Sequence, residues 1–195
     1  GGGLCLVIRR RRRIGIRDRR MGDLKPVMGV AELEAFVERE FPQMRMGADT
    51  TTIEAVGPGT AVLRLGFAER NLRPGGTISG PAMMALADYA MYAAVLAHIG
   101  PVGLAVTTSF HMDFMRRPAQ ADILAEARLM KLGRVLAVGA IELTQAGASG
   151  PVAHGTCTYS IPPSGPPAGG PAGGGETAAA APAKPTRRKW GNWLP

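Results

Sequence analysis

The stretch from Asn71 to Asp88, N-L-R-P-G-G-T-I-S-G-P-A-M-M-A-L-A-D, decides how this chain is read. Its first half is a loop rich in glycine and proline, and its second half opens a helix that is apolar almost all round. Ser79 suits the N-cap, Pro81 suits the first helical position, and Gly75, Gly76 and Gly80 allow a backbone to come close to a ligand. The pattern predicts a helix from Pro81 to about His98, with Met83, Met84, Leu86, Met91, Val95 and Leu96 among many alanines. A helix of that kind belongs in a core or a membrane. At about 18 residues and 1.5 Å per residue it nearly reaches a bilayer span, yet Asp88 near its centre would cost roughly 2.5–3.5 kcal/mol there. The core is therefore the expectation. A carboxylate set in such apolar surroundings is costly unless partnered, and groups so placed are frequent acid–base participants.

Working outward, Val30 to Phe41 carries Val30, Leu33, Phe36, Val37 and Phe41 at helical spacing, with Glu32, Glu34, Glu38 and Glu40 largely opposite. This predicts a short amphipathic helix ended by Pro42. Ala61, Leu63, Leu65 and Phe67 alternate with Val62, Arg64 and Gly66 as a strand. Beyond the long helix, Leu104 to Phe114 alternates strictly, with Leu104, Val106, Thr108, Phe110, Met112 and Phe114 on one face and Thr107, Ser109, His111 and Asp113 on the other. Strand character continues through 122–131, 134–144 and 152–161, joined by glycine-containing turns, as in an antiparallel meander. Runs of strands around one apolar helix predict an α+β fold.

The helix start and Asp88 carry the chemistry. Free N–H groups at the N-terminus, with the positive end of the helix dipole, would stabilise a carbonyl oxygen acquiring negative charge. Asp88 lies eight residues beyond Gly80, about 12 Å along the same axis, too far to act on an atom held at its own helix start. Two such helices lying antiparallel across a dimer axis would bring each Asp88 to the other chain's helix start, so a catalytic reading predicts an obligate dimer with two shared sites. The competing structural role for Asp88 is a hydrogen bond to a nearby tyrosine or backbone, with Tyr92 at i+4 the available partner.

Residues of about 50–162 resemble a hotdog-fold thioesterase of the PaaI type. Ser79-Gly80-Pro81 occupies the place of that family's His-Gly-Gly, Leu86-Ala87-Asp88 matches at the family spacing, and Phe114-Met115-Arg116-Arg117-Pro118 and Gly133-Arg134 look like its later landmarks. The resemblance implies a long helix wrapped in an antiparallel sheet, dimerisation that makes the sheets continuous, and hydrolysis of acyl-CoA thioesters without a cofactor. It implies Asp88 as general base or nucleophile, the Gly80 N–H as the oxyanion donor with Ala82 as a second, and Asn71 as the group that orients water or substrate. Two departures stand out. Ser79 replaces the family histidine, removing a group that assists the leaving thiolate, and Asn71 sits farther upstream than usual. Arg116, Arg117 and Arg134 are placed to pair with CoA phosphates. An acyl pocket is expected along Met83, Met84, Met91 and Tyr92, which suits medium or aryl groups.

The ends differ from the body. They carry +7 (residues 1–20) and +3 (residues 166–195) of the formal +8, leaving −2 for residues 21–165. The body therefore lacks the basic balance of a nucleic-acid-binding domain. Residues 1–27 read as a disordered basic leader, with residues 1–20 an artefact or over-extended start and Met21 or Met28 the natural beginning. Residues 28–163 read as the folded domain, and 164–195 as a disordered Pro/Gly/Ala-rich tail. Cys5 and Cys157 imply no disulfide framework, which favours a reducing, cytoplasmic setting. The three scattered histidines supply no metal site; His111 with Asp113 reads as a sheet-surface or subunit-contact pair. The expectation is a cytoplasmic homodimer or homotetramer acting on acyl-CoA, with no nucleic-acid or membrane partner. A non-catalytic acyl-CoA sensor of the same fold is the alternative, and attachment to nucleic acid or membrane through the Arg run at 9–13 is a third.

Overall fold

A computed structural model describes residues 24–42 and 51–163. Of the leader read over residues 1–27, residues 1–23 with Cys5 and the Arg run lie outside the described residues, as does the Pro/Gly/Ala-rich tail; residues 24–27 are described, with Leu24 packed against the core. The chain divides into two units after Pro163, and every described residue belongs to the first.

Helix α1 (Val30–Glu40) buries Leu33, Phe36 and Val37 as its spacing requires. Phe41 follows as the C-cap and stays 43% exposed. The Glu32 carboxylate accepts from the Gly29 N–H at 2.7 Å and satisfies a free donor at the helix start. Just before it, the N–H groups of Val27 and Met28 donate to the Ala97 carbonyl at 2.7 and 3.2 Å. That carbonyl belongs to the last turn of the long helix α2 (Gly80–Ile99), so the entry to α1 caps the far end of α2.

Strands β1 (Thr51–Gly57) and β2 (Thr60–Leu65) form a hairpin. The sequence signal covered only the second of them, and Phe67 lies beyond its end. After a single 3-10 turn (Glu69–Asn71) come two short strands, β3 (Leu72–Arg73) and β4 (Thr77–Ile78), which pair with each other across Gly75 and Gly76. Both glycines have positive φ, 97° and 71°, which the tight turn requires and L side chains rarely adopt. Beyond α2 follow β5 (Val106–Phe114), β6 (Ile123–Leu132), β7 (Leu136–Thr144) and β8 (Ala153–Ser160).

One sheet runs in the order β1-β2-β6-β7-β8-β5, with every neighbouring pair antiparallel. Its inner face is read directly from the period of two: β6 buries Ile123, Ala125, Ala127 and Leu129, and β8 buries Ala153, Cys157 and Tyr159. Against this face lies α2, buried at Met83, Leu86 and Ala87 and then continuously from Tyr89 to Ala97. It is the one helix among the described residues long and apolar enough to cross a membrane, and two thirds of that stretch is covered by the sheet and its surroundings. Close approach of helix to sheet depends on Gly139 in β7, where a Cβ would come within 2.5 Å of the Met91 sulfur.

The strict alternation expected for β5 breaks once. Thr107 faces Tyr159, and the next paired residue is Ser109 opposite Thr158, so Thr108 is an extra residue in a β-bulge. The break turns Thr107 to the helix side while Phe110, Met112 and Phe114 keep that side farther along.

Candidate active site

Asp88 lies halfway along α2, half-buried, in the floor of a cavity of about 490 Å3. The Thr107 hydroxyl donates to Asp88 Oδ1 at 2.6 Å, and the Tyr159 hydroxyl donates to the same oxygen at 2.8 Å. Tyr159 also reaches the Asp88 backbone carbonyl, at 3.1 Å. Among the described residues, nothing donates to Oδ2. The carboxylate is therefore anchored through one oxygen and free at the other.

Tyr92, the expected partner at i+4, does not bond Asp88. Its hydroxyl donates to the Gly103 carbonyl at 3.3 Å, and its ring sits 6.2 Å from that of Tyr159. Burial first, and the negative charge of Glu40 second, push the Tyr92 phenol above its usual range. Burial and then the Asp88 charge do the same, more strongly, to Tyr159, which stays protonated and keeps its proton to donate. Cys157, two residues earlier on β8, is pushed up to about 12 by burial and then by Asp88.

Of the residues expected to line the acyl pocket, this cavity takes Tyr92. Phe41, Tyr92, Leu104, Val106 and Tyr159 supply its apolar surface, with Glu40 at the end of α1 beside them. Met91 is fully buried against Gly139, Met83 faces a different cavity, and Met84 is 42% exposed and lines neither. A helix apolar on every side gives no sequence signal for which face meets the ligand.

That other cavity, about 380 Å3, lies at the start of α2. It is lined by Gly80, Ile78, Met83 and Phe114 together with Arg73, Arg116 and Arg117. Ser79 is the N-cap, its Oγ accepting from the Ala82 N–H at 3.4 Å. Pro81 has no N–H and that of Ala82 is engaged, so the Gly80 N–H is the free donor of this turn. The Ala82 donor expected beside it is spent on the cap. The ring of Phe114 lies 3.4 Å from where a Gly80 Cβ would stand, so the aromatic ring closes over the helix start.

Asn71 takes part through its backbone, whose carbonyl accepts from the Ser79 N–H at 2.7 Å and fixes the loop onto the helix start; its side chain lines neither cavity. The Arg116–Arg117 segment is positioned by Gln145, a buried side chain that accepts from the Ala119 N–H at 2.7 Å and donates to the carbonyls of Ala119 and Ala121. Arg116 itself donates to the Pro151 carbonyl at 2.7 Å. Arg134 lies elsewhere, in the β6–β7 turn, at the sheet end where Leu136 faces Ser160 and Ser160 faces Val106. Within one chain the structure thus groups Arg116 and Arg117 with Arg73, which the sequence reading passed over, and places Arg134 at the Asp88 end.

Among the described residues no group of three or more His, Cys, Asp or Glu side chains is placed to hold a metal. His111 and Asp113 pair at 3.2 Å on the exposed outer face of β5.

The profile of the thioesterase superfamily matches residues 75–150, from the glycine turn before α2 to the loop before β8. No curated protein matches the chain. Among solved structures, a candidate thioesterase from a Silicibacter species is 50% identical, over 72% of this chain and 96% of that one, with a TM-score of 0.65. A variant of the phenylacetic acid degradation protein PaaI from Thermus thermophilus is 27% identical, over 61% of this chain and 98% of its own, with a TM-score of 0.53. Zebrafish thioesterase superfamily member 2 shares the fold at 20% identity and a TM-score of 0.60, over 69% of this chain and 99% of its own. A half-identical relative covered almost end to end, on a sheet wrapped around one long helix, places this chain in the thioesterase superfamily as a hotdog-fold protein of the PaaI-like kind.

Proposed function

We propose that this thioester hydrolase acts on acyl-CoA at two identical sites, each built by two chains. Membership of the superfamily brings thioester hydrolysis; the CoA substrate, the roles of the residues and the shared site are our reading. The observation that carries it is the separation of the two half-sites. Asp88 opens into one cavity and the Gly80 N–H into another, eight positions apart along the helix.

Strand β5 supplies the geometry that would join them. It is an edge of the sheet, with Val106 and Phe114 54% and 49% exposed and Leu104 and Met115 beside it also exposed. An apolar, unpaired edge of this length invites pairing with another strand. Its first turn inward, Thr107, touches Asp88, and its last, Phe114, touches Gly80. Antiparallel pairing of two β5 strands about a two-fold axis near Phe110 and His111 sets Phe114 of the partner subunit opposite Thr107. Each Asp88 then meets the other chain's helix start, and the arginines around that start, Arg73, Arg116 and Arg117, fall near Arg134 of the first chain, in place to meet the phosphates of CoA.

In such a site the acyl group occupies the cavity lined by Phe41, Tyr92 and Leu104, and its carbonyl oxygen points to the Gly80 N–H. Oδ2 of Asp88 either draws a proton from water as the water attacks the carbonyl carbon, or attacks that carbon itself to give an anhydride that water then opens. The oxyanion is held by the Gly80 N–H and the helix dipole. Collapse expels the thiolate. Ser79, whose Oγ accepts the cap bond, stands at the family's histidine position, and a serine hydroxyl is too weak an acid to protonate the leaving group. A thiol ionises near pH 8.5, however, and leaves as thiolate more readily than an alcohol.

Release of CoA thiol from short, medium, long and aryl acyl-CoAs, followed with the wild type and Asp88→Asn side by side, tests this reading. Turnover that falls by orders of magnitude in the variant is expected. An unchanged rate would remove Asp88 from the chemistry, and ligand binding with no turnover by the wild type would make the protein an acyl-CoA sensor.

A further inference from the structure

We propose that Tyr159 is a positioning residue for the reaction, holding Asp88 by Oδ1 from the neighbouring strand so that Oδ2 is the oxygen that meets water or substrate. The inference rests on Asp88 being the reacting carboxylate.

Three observations on different elements converge. Tyr159 stands on the inner face of β8, only 2% exposed, so its ring is fixed by the core, while its hydroxyl reaches the Asp88 cavity. That hydroxyl lies within hydrogen-bond distance of both Asp88 Oδ1 and the Asp88 backbone carbonyl. It therefore senses the side chain and the helix that carries it together, and fixes the carboxylate's rotation relative to α2. The Thr107 hydroxyl arrives at the same oxygen from β5 and comes from the strand edge assigned to the dimer contact. Two donors on one oxygen leave the carboxylate a single reactive atom and a single plane.

The two anchors are unequal. Thr107 reaches Asp88 only because the bulge at Thr108 turns it inward, and it is exposed on an edge strand. Tyr159 is set in the middle of the core, paired in register with Ala137 on one side and Thr107 on the other. It holds the carboxylate whether or not a partner strand is present. Loss of the tyrosine hydroxyl should thus free the carboxylate to rotate, while loss of the threonine hydroxyl leaves one rigid anchor.

The test is Tyr159→Phe, which keeps the ring, compared with Thr107→Val, Asp88→Asn and the wild type by steady-state kinetics from pH 5 to 9. With Tyr159→Phe, kcat should drop about 10- to 100-fold, as for a lost hydrogen bond to a charged group, while KM stays within about twofold. The other titratable groups facing Asp88 are Cys157 and Tyr159 on β8 and Tyr92 on its own helix, all pushed upward and silent in this range. Glu40 lines the same cavity, and Glu40→Gln in each background removes its contribution.

A merely structural tyrosine would lower the melting temperature and the amount of active enzyme without lowering kcat per active site. A kcat per active site within twofold of wild type would overturn the proposal while leaving Asp88 in place. Full activity in Asp88→Asn would overturn both together.

Discussion

Two positions before Tyr159 on β8, Cys157 shares the inner face with the carboxylate's anchor and is 1% exposed. Its thiol ordinarily ionises at 9.0 and is pushed to about 12 here, by burial first and by the Asp88 charge second. Between those values the unfolded chain has lost the proton that the folded chain keeps. The folded state binds more protons there, so stability falls as pH rises from about 9 to 12. Urea midpoints at pH 8 and pH 10.5 should therefore fall further for the wild type than for Cys157→Ala. Equal losses would show that the thiol's burial does not govern the slope. Tyr159 adds to the slope in the same direction and is common to both proteins. The same burial makes Cys157 inert to thiol reagents at neutral pH, since the thiolate is the nucleophile.

At the scale of elements, contact between α2 and the sheet turns on one missing side chain. A Cβ at Gly139 would meet Met91 Sδ at 2.5 Å and Cε at 2.7 Å, and the Arg128 carbonyl at 2.9 Å. The methionine end can swing aside, but the carbonyl belongs to the β6 ladder and cannot. Gly139→Ala should cost about 1–3 kcal/mol in urea unfolding, and Met91→Ala in the same chain should recover only the part due to the side chain. No loss in the single variant would mean that the helix stands farther from β7. Strands β2 and β5 to β8 were legible because a period of two, bounded by Gly-rich turns, admits little else, whereas β1 and the two-residue strands β3 and β4 were not; the buried helix was, through its unbroken apolar run. The anchors of Asp88 were not. Alternation assigns faces only while the pleat is unbroken, and the bulge at Thr108 reverses the assignment for Thr107. Tyr159 and Tyr92 are both tyrosines near apolar runs, and only the register of β8 against β5 selects the former. The cavity walls were hidden for a similar reason, since a helix surrounded by alanine and methionine does not announce which face is left uncovered.

At the scale of the molecule, the shared site makes a prediction that a site within one chain cannot share. Gly80→Pro removes the oxyanion donor, and Ser79, at φ −75° and ψ 150°, already has the extended backbone that a following proline requires. Asp88→Asn removes the base. Each homodimer carries the same lesion in both sites and should be inactive. In a heterodimer of the two variants one site collects both lesions and the other collects neither. Purified through two different tags, that heterodimer should recover about half the activity of the wild-type dimer, as one of two symmetric sites is intact. If Asp88 and Gly80 served the same site from one chain, every site in the mixture would keep a lesion and activity would stay at the level of the parents. Recovery would also fix the role of β5, because the pairing of that edge is what places Thr107 and Phe114, and with them Asp88 and Gly80, across the axis from each other.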